Sequence, residues 1–194
     1  MAKYDYTSQS EVQRLANNGD MEAEYELAYR YMTSGDFQNA LIWYTKIANN
    51  PNHPRYRYGI TGSAEIHEAN GNTQEAIKLL EKTACFPDAI VAKLALGLLY
   101  SKVGRIDEGI ELIEYAIDKI IEIEGNDDYL KQIECYKIAV AYEGAQYFTK
   151  STRYYNKAID RCDTSYESDR QLIAKAREAI ESNENRKATL GDRG

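Results

Sequence analysis

Proline is scarce in this 194-residue chain, with three in all, and histidine is scarcer, with two. Proline lacks the amide that a helix interior uses and its ring clashes with the preceding turn, so its near absence leaves room for long helical stretches. Cysteine also numbers three. Cys85, Cys135 and Cys162 are far apart, odd in number and never in a CxxC pair, which excludes a disulfide framework and, with so few histidines, a zinc site. No run of about 18 apolar residues occurs, so no membrane-spanning helix is expected. Residues 1–10, MAKYDYTSQS, show neither the basic leader nor the apolar stretch of a secretory signal, and a cytoplasmic location is the expectation. Glycine-rich phosphate loops, nucleophile motifs and metal-ligand spacings are missing too, and the adjacent acids Asp127 and Asp128 fall in a predicted turn. The chain is therefore read as a non-enzyme, with no catalytic residue, metal or cofactor assigned.

What the sequence does have is tyrosine: seventeen, against three phenylalanines and one tryptophan. A tyrosine ring fills a half-buried position while its hydroxyl stays at a surface that a partner can reach. The formal net charge is −7, and it is uneven, because residues 105–134 carry ten acidic and three basic side chains. Such a balance repels phosphate backbones and disfavours general nucleic-acid affinity.

The chain also repeats itself. Ala28, Ala64, Gly97 and Ala139 are small, and the positions twelve residues on, Ala40, Ala76, Gly109 and Ser151, are small as well. Three residues after the first set stand Tyr31, His67, Tyr100 and Tyr142; four after the second stand Tyr44, Leu80, Ile113 and Tyr155. Small side chains that let two helices approach, with bulky ones beside them, describe a helix hairpin. Phe37, Ala40, Leu41, Tyr44, Ile47 and Ala48, and likewise Ala76, Ile77, Leu80, Thr83 and Ala84, follow helical apolar spacing. Between the paired helices lie Ser34-Gly35-Asp36, Asn70-Gly71-Asn72 and Val103-Gly104-Arg105, where glycine ends a helix in the left-handed conformation. Capping-box spacing at Ser8/Glu11, Asn72/Glu75 and Thr164/Glu167, and Asp88 after Pro87, mark helix starts. The copies are spaced by 36, 33 and 42 residues, so the last step should lengthen the helices around Gly125-Asn126-Asp127-Asp128.

The first copy, Leu27-Ala28-Tyr29-Arg30-Tyr31 with Gly35-Asp36 and then Ala40 with Trp43-Tyr44-Thr45-Lys46-Ile47-Ala48, resembles a Sel1-like repeat, and the next three resemble tetratricopeptide units. The fourth departs, having Tyr147-Phe148-Thr149 where the others have glycine and Ser151 as its small residue. The resemblance implies an all-α α-solenoid: an N-terminal segment with a short leading helix over 1–15, four repeats over 16–163, a capping helix over 164–182 and a disordered tail over 183–194. It also implies that residues of each first helix turned away from its hairpin partner line a concave groove. In register these are Glu22, Tyr25, Tyr29 and Met32; Tyr58, Thr61, Glu65 and Glu68; Val91, Leu94, Leu98 and Lys102; and Ile133, Tyr136, Val140 and Glu143. Tyr25 and Tyr29 stand where members that bind chaperone C-termini place the Lys and Asn of a carboxylate clamp, which argues against that role.

The expected activity is thus that of an adaptor or scaffold whose groove takes a protein or peptide with apolar anchors and possibly a basic residue. A secretion-type chaperone for an exported protein and a structural homo-oligomer are alternatives, the latter through apolar groove residues or the terminal helix. A nucleic-acid regulator using Lys46, Arg55 and Arg57 of the Arg55-Tyr56-Arg57-Tyr58 stretch is a weaker one. Glu108, Glu111, Glu114, Asp118 and Glu122 form an acidic ridge that reads as a solvated face. His67 is expected to replace a packing tyrosine, and His53 to sit in a solvated loop.

Overall fold

The computed structural model describes residue 4, residues 7–128 and residues 130–193, and these form ten α-helices and no strand. They divide into two compact units that meet in sequence at Ala92 and Lys93. The first unit holds α1 (Gln9–Asn17), the hairpin of α2 (Met21–Thr33) and α3 (Phe37–Ala48), and the hairpin of α4 (Tyr56–Ala69) and α5 (Thr73–Ala84). The second takes up within α6 (Ile90–Lys102), which pairs with α7 (Ile106–Glu124), and continues through α8 (Gln132–Gly144), α9 (Phe148–Asp160) and α10 (Glu167–Leu190).

In the first unit Val12, Ala16, Ala23, Leu27, Ala28, Ala40, Ile47 and Ile66 are wholly buried, with Trp43 and Tyr44 beside them. Removing each of the larger ones, Val12, Leu27, Ile47 and Ile66, from water contributes about 1.5–3 kcal/mol. Helix α4 lies on α3 at backbone distance. A β-carbon on Gly59 would stand 2.6 Å from Ile47 Cγ2, and one on Gly62 would stand 2.8 Å from the Tyr44 ring. Before α1, Tyr4 donates to Asp20 at 2.9 Å, and the Arg30 guanidinium donates to the carbonyls of Tyr4 and Thr7.

The second unit repeats the close approach. A β-carbon on Gly97 of α6 would lie 2.7 Å from the Gly109 carbonyl of α7, so both small positions are needed at once. Ile113, which packs on Gly97, and Ile138, Phe148, Tyr155 and Ala158 of the following helices are fully buried. At the small position of the fourth hairpin, Ser151 accepts from Asn183 Nδ2 of α10 at 2.9 Å, with both residues buried.

Five helix ends close in one way. The residues at the turn, Gly19, Gly35, Gly71, Gly104 and Gln146, all have positive φ, from 63° to 89°. The next residue sends its N–H back to a carbonyl five positions earlier: Asp20 to Leu15, Asp36 to Tyr31, Asn72 to His67, Arg105 to Tyr100 and Tyr147 to Tyr142. This 6→1 bond is the Schellman closure. In the fourth hairpin the turn therefore falls on Gln146, in register with Gly35, Gly71 and Gly104, and a residue with a β-carbon takes the left-handed conformation.

Several sequence expectations change. Only Ser8 of the three capping-box residues caps its helix, accepting from Glu11 N–H at 3.3 Å; Asn72 makes no side-chain cap, and α10 begins after Tyr166. The segment 183–194 is not a disordered tail as far as it is described. Helix α10 runs on to Leu190, Arg186 bonds Glu143 at 2.5 Å, and Asp192 accepts from the Thr149 N–H at 3.2 Å and from its hydroxyl. Arg193 donates its N–H to the Gln146 carbonyl at 3.0 Å. Polar contacts, invisible to an apolar-period search, hold this segment. The tetrad Gly125-Asn126-Asp127-Asp128 does form the turn after the long α7, with Gly125 at φ 81°. Asp127 is buried there, taking bonds from Tyr154 Oη at 2.9 Å and from Lys157, while Asp128 pairs with Arg161. These acids clamp a loop to α9.

Two outcomes follow. Replacing Gln146 with glycine should raise stability by about 1 kcal/mol, read as a higher urea midpoint at unchanged m. Burial works against the Asp127 carboxylate, but the Lys157 and Tyr154 hydrogen bonds outweigh it and hold its pKa below the ordinary value. Its contribution is thus complete above the unfolded aspartate pKa of about 3.9 and is lost as pH falls from there through the folded value. Asp127→Asn should cost about 3 kcal/mol at neutral pH and flatten the fall in thermal midpoint below about pH 4.

Candidate functional site

The positions selected by register fall in both units, and each unit is described by itself. In the first, α2 and α4 bring tyrosines together. The Tyr25 ring is half-buried, 5.6 Å from the Tyr58 ring and 6.5 Å from that of Tyr44. Tyr29 and Tyr58 are 51% and 53% exposed, so two rings face solvent around one that is half inside. Burial pushes the Tyr25 and Tyr44 hydroxyls up from the ordinary tyrosine value, with the neighbouring tyrosines adding to it. Both remain neutral donors at physiological pH.

Arg55 organises this cluster. Its guanidinium lies 5.3 Å from the Tyr25 centroid and 5.8 Å from that of Tyr58, and it bonds Glu22 at 3.1 and 3.2 Å. The hydrogen bond to Glu22 raises the Arg55 pKa, so the charge is permanent. What fixes Arg55 is His53, and here the expectation of a solvated histidine is corrected. His53 is 3% exposed, its Nδ1 accepts from the Arg55 N–H at 2.9 Å, and its Nε2 stands 3.5 Å from Glu24. Its Nε2 is buried and makes no hydrogen bond among the described residues. Glu24 is itself buried and pairs with Lys46 at 2.9 Å. The His53 Nδ1 bond thus holds the loop from which Arg55 reaches the tyrosines.

The other positions of this unit are less open. Met32 and Tyr25 pack partly against the core, Thr61 turns its hydroxyl to the Arg57 carbonyl at 3.1 Å, Glu65 is exposed and Glu68 is half-buried. The three cations proposed for nucleic acid each face a carboxylate: Lys46 pairs with Glu24, Arg55 with Glu22, and Arg57 with the exposed Asp88 at 2.5 Å.

In the second unit the predicted set is only partly available. Leu94 is buried, at 5% exposure, which corrects its assignment to an open face. Helix α6 is apolar nearly all round, so register alone could not tell its inward from its outward side. Leu98 is half-buried and Lys102 exposed. On α8, Val140 and Ile133 are exposed, as Val91 is in the first unit. Tyr136 is half-buried, edge-on to Tyr155 with centroids 5.4 Å apart. Glu143 accepts from Tyr155 Oη at 2.8 Å as well as from Arg186, which makes it a structural link between α8, α9 and α10. On the acidic ridge of α7, Glu108 pairs with Arg105, Glu122 with Lys119 and Glu114 with Lys150.

Sequence reasoning missed the role of Arg55 and His53. Their carboxylate contacts are 33 and 29 positions away in sequence, and the only local signal was the aromatic and basic alternation that suggested nucleic acid. Among the described residues no helix is long and apolar enough to cross a membrane, and no three metal-ligating side chains converge.

No protein-family model matches the chain, and no curated protein matches it significantly. Solved structures do. A thermophilic tetratricopeptide protein of Thermus thermophilus matches with a TM-score of 0.60 at 20% identity, over 89% of this chain and 88% of that one. A putative kinesin light chain of Podospora anserina, with nearly identical tetratricopeptide-like repeats, matches at 0.55 and 19% identity over 92% of each. MamA from Desulfovibrio magneticus RS-1 matches at 0.54 and 15% identity, over 89% of this chain and 98% of that one. At such identities the likeness is one of fold, and the fold is that of tetratricopeptide-type repeat proteins.

Proposed function

We propose that this chain, folded as a tetratricopeptide-type repeat protein, is a non-enzymatic interaction module that captures a peptide or a partner's helix on the aromatic face of its first unit. The observation that carries the reading is the Tyr25, Tyr29 and Tyr58 cluster with Arg55 laid against it. Two large rings are left half in water beside a third that is anchored on the core. Desolvating such rings supplies contact area at little conformational cost, because a tyrosine has only two side-chain torsions to fix. The bonds of Arg55 to His53 Nδ1 and to Glu22 pre-position it and so lower the ordering cost of binding.

The expectation can be checked with a displayed library of random peptides. Enriched peptides should bind the wild type and lose about tenfold or more in affinity on the Tyr29→Ala/Tyr58→Ala variant. Both rings are half-exposed, so the variant should keep its circular dichroism spectrum and melting midpoint. A library that yields no enrichment, or peptides that bind the double variant as well as the wild type, would remove the assignment.

A further inference from the structure

Next to the tyrosine face, the first unit has a cleft of about 690 Å³. One wall is the start of α4, with Arg57 and Tyr58; the other is the end of α5 and the following loop, with Lys82 and Phe86; Pro51 and Pro54 close one side. The chain as a whole carries −7. The cleft carries the two cations Arg57 and Lys82 against one carboxylate, Asp88.

These groups are arranged to receive something. Phe86 is 42% exposed, and the Arg57 guanidinium lies 4.8 Å from its ring centroid. That stacking fixes the plane of the guanidinium. Only its Nη1 is engaged, by Asp88 at 2.5 Å; its Nε and Nη2 hydrogens make no bond among the described residues. Guanidinium offers five donors in a flat fork that fits a carboxylate. The Asp88 side chain is 70% exposed, and an ion pair so open to water contributes little, so it yields readily to a second carboxylate. Lys82 is exposed and forms no ion pair among the described residues. The prolines restrict the wall opposite, and buried His53 holds the loop that carries them.

Tyr58 belongs both to the cleft and to the aromatic face. A segment seated on the tyrosines therefore meets Arg57 one residue away on the same helix turn. The geometry points to a cleft that takes the carboxylate side chain of a protein partner, on a short linear segment in which Asp or Glu adjoins an aromatic or large aliphatic anchor. The inference rests on the reading of the aromatic face as a peptide-binding surface and adds the charge of the ligand. That charge is opposite to the one the acidic groove positions of the sequence suggest, because Glu22 is already neutralised by Arg55.

The test uses three pools of capped, fluorescent octapeptides, random except for a central Glu-Phe, Gln-Phe or Lys-Phe pair, titrated by anisotropy with the whole chain. The Glu-Phe pool should bind about tenfold tighter than the other two, and Arg57→Gln/Lys82→Gln should erase that preference without changing the melting midpoint. Equal binding of the Glu-Phe and Gln-Phe pools, or a preference that survives in the double variant, overturns the inference, as does binding of none. Preference for the Lys-Phe pool, abolished by Tyr29→Ala/Tyr58→Ala, also overturns it but leaves the peptide-binding reading standing. Loss of the Glu-Phe preference with residual binding that still depends on Tyr29 and Tyr58 is the result expected of the double variant, and it separates the two claims.

Discussion

Two helices can cross at backbone contact only where neither brings a β-carbon to the crossing point. Gly97 and Gly109 meet this demand mutually, each within 2.7 Å of where the other's carbonyl would strike a methyl group. Gly59 and Gly62 meet it for α4 on α3. The α6–α7 hairpin rests on the first contact and the packing of α4 on the preceding hairpin on the second, while the other hairpins bring together Ala28 and Ala40, Ala64 and Ala76, and Ala139 and Ser151, whose side chains are small enough for the helices to lie close. The Schellman closures then return the chain, each using the carbonyl of the ring position itself: Tyr31, His67, Tyr100 or Tyr142. Packing and turn are thus coupled through the same residues, and this is why the spacing of small and bulky positions holds across four units whose sequences otherwise differ.

That coupling is also what made the architecture legible. Small residues twelve positions apart and glycine seven after the first of them are local facts, and local facts survive in a string of letters. Gln146 escaped because nothing about glutamine advertises a left-handed conformation; its place follows from register with Gly35, Gly71 and Gly104. The glycines of α4 escaped because the register was set on Ala64. Leu94 was misplaced because a helix apolar on most sides offers no period to read. The C-terminal segment was misjudged for the opposite reason, being held by Arg186, Asp192 and Arg193 through polar bonds to residues 43 to 47 positions earlier.

The first unit's surface shows how charge is managed where tyrosines gather. A sequence count places several acids and bases there, and most of them cancel in pairs: Arg55 with Glu22, Lys46 with Glu24, Arg30 with Glu26. The pairing turns an apparently charged helix face into an aromatic one, with its remaining charge set at the margin. Buried His53 matters in that scheme by holding a backbone amide, an indirect role that its position in a proline-flanked loop does not reveal.

Asp192 gives the second unit a property that stacked repeats ordinarily lack. In an array whose units touch only their neighbours, the last helix frays first and alone, because nothing beyond it shares the loss. Here α9 has no capping side chain of its own at Tyr147, and the acceptor for its first turn arrives from beyond α10. Loosening the final residues uncaps a helix one layer inward, and unwinding that helix takes away the anchor of the final residues. The two layers consequently open as one cooperative step, and in an exchange experiment their amides would share a single opening free energy.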